Sequence, residues 1–336
     1  MASTIKDVAR LAGVSISTVS RVANNASNVS PPIRKKVLRA IKALNYTPNI
    51  VARSLKNIAV VMGRTMDQAF SNPDFFVILQ GITSTLVKQE YSTLLLTDLK
   101  QSMELEHCIK LIRSGAVQGV IVVGSFVHDP LLSRLLEEDC PFVLIGYPPD
   151  NPDIYTTPFN TVSTNDKQSA YQAVRFLLER GHRRIGLVHA PLSYAANRKR
   201  YDGYIEAITE AGLRIDHTLI ASTSYEVSET VSAVTALLTV AHPPTAVFCT
   251  DDYKATGVLR AALGLGMRVP EDLSVMGHNN YQISELTTPP LTTVTVPMFE
   301  LGRSAGEILM RKITDPSTPI ENLFFPNRLL IRDTVK

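Results

Sequence analysis

A chain of 336 residues, 45% hydrophobic and 19% charged, can build two or three packed domains and is no low-complexity polymer. Three scattered cysteines (Cys108, Cys140, Cys249) argue against a disulfide frame, and no apolar run reaches the roughly 18 residues of a membrane span, so a cytoplasmic protein is expected. The formal charge of +3 hides an asymmetry: residues 1–56 carry ten Lys or Arg against Asp7 alone, a balance of +9, and the rest of the chain stands at −6. A basic module on a mildly acidic body is the footprint of a polyanion-binding head, although a solvated basic face gives the same count.

The stretch "IKDVARLAGVSISTVSRVANN" (5–25) reads as two short helices about a glycine. Thr4 is placed to cap the first, with Asp7 near its positive end and Val8, Ala9, Leu11 and Ala12 as its apolar stripe. Gly13 breaks it. Ser15 caps the second helix, where Val19 and Val22 face inward and Ile16, Ser17, Ser20 and Arg21 face out. This is the helix-turn-helix pattern, whose second helix enters the major groove of DNA by its N-terminus. Ser30-Pro31-Pro32 opens a third helix with Ile33, Val37, Leu38, Ile41 and Leu44 apolar. In "YTPNIVARSLK", Pro48 and Asn49 can start a fourth helix too short to be stable alone, ending on Leu55.

Residues 4–56 resemble the DNA-binding head of the LacI/GalR family through "IKDVARLAGVSISTVSRVANN", "VSPPIRKKVLRAIKALNYTPN" and "ARSL". The resemblance implies that Thr4, Ser15 and Thr18 cap helices or touch phosphate, that Ile16 and Ser17 meet base edges, and that Arg21 hydrogen-bonds a base. Arg on guanine is the commonest direct contact. It further implies that Asn24, Asn25, Asn49 and Arg53 lie at the DNA backbone or hinge and that Leu55 wedges into the minor groove. Ile16 and Ser17 offer few hydrogen bonds, so reading there leans on apolar contact such as a thymine methyl. The tether after "ARSLK" is several residues shorter than the resemblance predicts, which leaves Leu55 less secured than Arg21.

From residue 58 apolar runs of strand length (58–62, 93–97, 119–123, 142–146, 185–189, 245–249, 273–277) alternate with helical patterns near 74–89, 103–114, 166–180, 198–211, 228–239 and 252–264. Such runs predict parallel sheets covered on both faces, and their number predicts two lobes. The expected class is α/β: a three-helix head, then a core resembling periplasmic binding proteins, two doubly wound parallel-sheet lobes. The expected domains are a head over 1–47, a hinge over 48–57, and a core over 58–336. The core divides into an N-lobe of about 58–160 with 291–319 and a C-lobe of about 161–290 with 320–336. "SNPDFFVILQGI", "LLERGHRRIGLV" and "FCTDDYKATGVLRAALGLGMRVPEDLSVMGHNN" carry the core's resemblance to the same family.

The sequence has no G-x-S-x-G, P-loop or H-E-x-x-H pattern, and its cysteines lack zinc spacing, so neither an enzyme nor a metal or cofactor is expected. Sugars call for planar polar groups on hydroxyl pairs and for aromatic faces. By its match to the family's effector arginine, Arg200 is the first candidate. Asp251 follows an apolar strand, as do Asn279 and Asn280. Phe75 and Phe76, near Asn72, are stacking candidates, one of them a core residue by default, with Tyr147 and Tyr225 behind them. The reading is a regulator of carbohydrate-utilisation genes that binds operator DNA as a homodimer, most similar in "SNPDFFVILQGI", "FVLIGYPPDN" and "GHNN" to maltose-operon repressors. The chain ends at "LLIRDTVK" without a leucine-heptad tail, which favours a dimer over a tetramer. A corepressor-dependent purine-type regulator and a catabolite regulator with a phosphoprotein partner stay open.

Overall fold

The computed structural model describes residues 5–23, 29–44, 56–62, 73–97, 101–127, 129–138, 140–148, 158–224 and 226–336. The head packs α1 (Ile5–Ala12), α2 (Ile16–Ala23) and α3 (Pro31–Ala43) around Val8, Ala9, Ala12, Val19, Val22, Val37 and Ala40. Gly13, at φ +66°, ends α1 while the Val14 amide returns to the Ala9 carbonyl (3.1 Å). Leu11, Ile33 and Leu38, expected in this core, are instead 57%, 37% and 52% exposed. Each short helix buries only one narrow stripe, and these side chains flank it.

The core begins with β1 (Asn57–Met62), α4 (Pro73–Leu86), β2 (Ser92–Leu96), α5 (Gln101–Ser114), β3 (Gly119–Val123), α6 (Pro130–Glu137), β4 (Phe142–Ile145) and β5 (Asn160–Thr164). It continues with α7 (Asp166–Glu179), β6 (Ile185–His189), α8 (Ala195–Glu210), β7 (Ile220–Ser222), α9 (Val227–Leu238), β8 (Ala246–Cys249), α10 (Asp252–Gly264), β9 (Ser274–Met276) and α11 (Ile283–Leu286). β10 (Thr293–Thr295), α12 (Met298–Thr314), β11 (Asn322–Phe325) and β12 (Arg328–Leu330) complete it. The N-lobe sheet runs β11-β5-β4-β3-β1-β2 and the C-lobe sheet β7-β6-β8-β9, every pairing within them parallel. Alternation along β1 divides the N-lobe core. Ile58, Val60 and Met62 pack with side chains of α4 and α12, and Ala59 and Val61 with those of α5 and α6.

The lobe boundaries differ from the expected ones. β5 pairs with β4 and β11 with β5, so residues 160–164 and 322–325 belong to the N-lobe sheet. β10 and β12 pair antiparallel and contribute Val294 and Leu329 to the C-lobe core. The chain therefore crosses between lobes at 164–166, 295–298 and 325–328; hydrogen bonding to a neighbouring strand decides where each crossing falls. Gly181, at φ +92°, ends α7; the His182 amide closes the helix end on the Leu177 carbonyl (3.2 Å) while its ring bonds the Thr245 hydroxyl (2.9 Å). No helix among the described residues is long and apolar enough to cross a membrane.

One close approach governs the N-lobe. A Cβ on Gly302 would lie 2.0 Å from the Ile78 carbonyl oxygen, and one on Gly81 2.2 Å from that of Phe299. Reciprocal glycines thus let α4 and α12 touch backbone to backbone. Gly302→Ala is expected to lower the free energy of unfolding by about 1–3 kcal/mol, the usual cost of overpacking, measured by urea denaturation.

Candidate functional site

The exposed start of α2 is the nucleic-acid candidate. The Ser15 hydroxyl accepts from the Thr18 amide (3.2 Å) and bonds the hydroxyls of Ser17 (2.8 Å) and Thr18 (2.9 Å), a cap that organises the first turn. Ile16, at 45% exposure, and Ser17 face outward at the start of the helix, and Arg21 is exposed in its last turn. Lys35, Lys36, Arg39 and Lys42 on α3 are exposed as well. Thr4, Asn24, Asn25, Asn49, Arg53 and Leu55 lie outside the described residues, as do the hinge and its shortened tether.

The second candidate is a cavity of about 120 Å³ between the lobes, at the C-terminal ends of β1, β3, β4, β5 and β8, where open α/β sheets hold ligands. Its walls differ in chemistry. Met62, Phe75, Ile78, Val123, Ile145, Val162, Met298 and Leu301 give the N-lobe an apolar wall. The C-lobe answers with Asp166, Asn197, Arg200, Asp251, Asn279 and Tyr281.

Arg200 is 6% exposed and held from two sides. Its Nε donates to Asp166 Oδ1 (2.8 Å) and its Nη1 to the Thr250 carbonyl (2.6 Å). Burial alone would raise the Asp166 pKa; the Arg200 charge and hydrogen bond outweigh it, with help from the Tyr147 hydroxyl at 3.0 Å, and the net direction is down. The Tyr147 phenol is pushed up by burial and then by Asp166. His278 beside them is neutral, its pKa lowered to about 3 by burial and by Arg200. Its Nδ1 faces Asn279 Oδ1 (3.0 Å), an acceptor because the same amide's nitrogen donates to Asp74 Oδ2 (3.1 Å). Nδ1 therefore carries the proton, and Nε2 accepts from Ser169 (3.0 Å).

Four expected residues, Arg200, Asp251, Asn279 and Tyr147, come together at this cavity, with Phe75 in its apolar wall. Two do not. Phe76 is 50% exposed, because neighbouring positions on α4 point about 100° apart. Asn280 turns away at φ +55°, its Oδ1 accepting from Ser284 (3.1 Å) and Arg332 (2.9 Å). Phe75, 1% exposed, is a wall residue of the core rather than a free stacking platform. Asn72 and Tyr225 lie outside the described residues.

The adjacent acids Asp251 and Asp252 take different roles. Asp251 lines the cavity and itself caps α10, accepting from the Lys254 amide (2.9 Å). Asp252 is fully buried away from it, accepting from Thr293 Oγ1 (2.6 Å) and the Tyr281 amide (2.6 Å). Asp74, Asp166, Asn197 and Tyr281 were missed. Asp74 and Asp166 sit in first helical turns, where an acid is ordinary, and nothing local marks Asn197 or Tyr281.

A helix-turn-helix head joined to a two-lobed core with a cleft cavity defines a ligand-responsive DNA-binding regulator. The model for bacterial regulatory proteins of the lacI family matches residues 4–49, and that for a periplasmic binding protein-like domain matches 174–335. The chain is 34% identical over 315 residues, 93% of both chains, to the HTH-type transcriptional repressor PurR of Aliivibrio salmonicida. It is 32% identical to the ribose operon repressor of Haemophilus influenzae, over 99% of this chain and 98% of that one. A solved structure of the transcriptional regulator CelR with cellobiose superposes with a TM-score of 0.76 at 32% identity, covering 99% of each chain. The chain belongs to the lacI family of bacterial regulatory proteins. It is a DNA-binding transcriptional regulator with a small-molecule-binding core; these comparisons carry the family and do not single out maltose-operon repressors.

Asp252, buried behind the cavity, gives the fold a pH signature. Its pKa is pushed up to about 8, first by burial and then by Asp251 and Asp74 against its own hydrogen bonds. A carboxyl raised from 3.8 binds a proton more tightly when folded, so its contribution is full below about pH 4 and is lost as pH rises through 8. Asp252→Asn, an isostere of the protonated form, is expected to flatten this decline. Urea midpoints of both proteins at pH 5, 6.5 and 8 should differ most at pH 8, with the variant higher.

Proposed function

We propose that the protein is a repressor of carbohydrate-utilisation genes whose operator affinity is set by a neutral mono- or oligosaccharide in the cleft. The observation that carries this reading is the two-faced cavity. A sugar has equatorial hydroxyl pairs for Arg200, Asp251 and Asn279, and an apolar C–H face for the aliphatic wall opposite. A planar base would more often be sandwiched between two aromatics. Among the described residues, the aromatics on this cavity are Phe75, sunk in the core, and the hydrogen-bonded Tyr147 and Tyr281. Cellobiose in CelR and the ribose operon in the named relative support a sugar. A disaccharide of the maltose type is the finer assignment. The alternative reading is a purine-type regulator in which a bound corepressor promotes DNA binding instead of releasing it.

In this reading the protein works in the cytoplasm, where its operator DNA is. The head acts as one of a pair. Two copies related by a two-fold axis set their α2 helices on the half-sites of a palindrome about one helical turn or a multiple of it apart. Within each half-site Arg21 reads a base, Ile16 and Ser17 make close apolar and hydroxyl contacts, and Ser15 and Thr18 order the turn against phosphate. Asn24, Asn25, Asn49, Arg53 and Leu55 extend the contact into the hinge. A charge of +9 over residues 1–56 supplies the phosphate attraction, so log affinity falls linearly with log salt, by several units of slope for a dimer.

The test uses an operator recovered by in vitro selection and calorimetry with maltose, cellobiose, ribose and purine bases. Arg21→Ala is expected to cost about 1–3 kcal/mol of operator binding and to relax preference at one base pair. Arg200→Ala is expected to abolish the sugar response while leaving operator binding by the unliganded protein largely intact. A wild-type protein that answers only the purine bases, or an Arg200→Ala protein that answers a sugar at the usual concentration, overturns the sugar reading.

A further inference from the structure

The lobes grip each other on both sides of the cavity. One grip is main chain: the Val127 amide donates to the Ser193 carbonyl (2.8 Å) and the Ala195 amide to that of Ser125 (3.0 Å), with the Phe126 and Tyr194 rings 4.7 Å apart. The other is made of side chains. Asp74 Oδ2, in the first turn of α4, accepts from the Tyr281 hydroxyl (2.5 Å) and from Asn279 Nδ2 (3.1 Å) on the C-lobe. We propose that Asp74 and Tyr281 form a clasp that holds the cleft closed before any effector arrives, and that they set effector affinity as positioning residues.

Both halves of the clasp are rigidly mounted. Tyr281 is fixed through its amide on Asp252 (2.6 Å), and Asn279 through its amide on the Val294 carbonyl (2.8 Å) and its side-chain oxygen on His278 (3.0 Å). Asp74 rides on α4, which lies backbone to backbone on α12. Opening the lobes about their three crossings separates these groups as a unit, so the bonds count toward closure and not toward the stability of either lobe. Hydrogen bonds to a charged acceptor are about twice as strong as neutral ones, enough to shift such an equilibrium about tenfold. A ligand that fits only the closed cavity then binds in proportion to the closed fraction. Among the described residues, Asp74 is the one charged side chain that the N-lobe places on this cavity, opposite the polar wall.

The proposal rests on the cleft being the effector site, yet closure can be measured without an effector. The Val127 and Ala195 amides are built-in reporters, because their acceptors lie on the opposite lobe. Amide hydrogen exchange of the ligand-free full chain is compared for wild type, Asp74→Ala, Asp74→Asn, Tyr281→Phe and the double variant D74A/Y281F. Asp74→Ala and Tyr281→Phe should each speed exchange at Val127 and Ala195 about tenfold and leave Val60 and Leu187, central in the two sheets, at the wild-type rate. The double variant should be no faster than Asp74→Ala, which already loses the Tyr281 and Asn279 bonds together, and Asp74→Asn should be intermediate, since its amide oxygen still accepts. Wild-type exchange at Val127 and Ala195 in Tyr281→Phe overturns the clasp, as does acceleration that extends equally to Val60 and Leu187. Absence of heat from maltose, cellobiose and ribose in the wild type defeats the effector clause alone, and the exchange pattern still decides the clasp.

Discussion

The cleft is organised by one buried charge pair. Taking Asp166 and Arg200 out of water carries a penalty of several kcal/mol per ion, recovered only where every lone pair and donor finds a partner. Asp166 accepts from Arg200 at one oxygen and from Tyr147 and Thr164 at the other, and Arg200 also donates to the Thr250 carbonyl. These partners come from β4, β5 and β8 or the turns after them, on both lobes. The pair sits where the chain first crosses from N-lobe to C-lobe, so the geometry that satisfies it also sets how the two lobes meet.

From this pair the polar order spreads through the C-lobe. His278, kept neutral by burial, links Ser169 to Asn279, and Asn327 on the third crossing donates to the same Ser169 hydroxyl (3.1 Å). The network thus runs from a crossing segment to the cavity wall. The N-lobe contributes the opposite chemistry: strand ends rich in Val, Ile and Met, backed by α4 and α12 in close approach. A cavity with one wall of each kind selects amphipathic ligands, and carbohydrates are amphipathic in this way. The same division explains why closure matters, since neither wall alone surrounds a ring.

Much of the fold could be read locally. Gly13 between two short amphipathic helices, with Ser15 as cap, specified the turn of the head; the apolar runs from 58 to 277 named most strands of the core within a residue or two. Burial was less accessible. Leu11, Ile33 and Leu38 looked like core and are surface, because a small bundle has room for one stripe per helix. Residues 322–325 carry no sign of the sheet they join. Strand partnership is a long-range choice, and β11 pairs with a strand some 160 positions earlier in the chain.

The effector cleft divides along the same line. Arg200, Asp251 and Asn279 were identifiable because they occupy family positions after strands or on the helix that follows one, and such positions converge whenever parallel strands lie side by side. Phe76 and Asn280 were misjudged by a single position, since adjacent residues on a helix or a tight turn face different ways. Asp74, Asp166 and Tyr281 gave no warning, because an acid in a first helical turn is ordinary and a tyrosine after a turn has no local role. The sequence by itself determined the basic head and the α/β class, which follow from charge and short-range periodicity, and its resemblance to the family implied the cleft. Only the tertiary structure decided which carboxylate pairs with Arg200, which asparagine faces the ligand and where the lobes touch, because those depend on bringing together groups as much as 207 positions apart, as Asp74 and Tyr281 are.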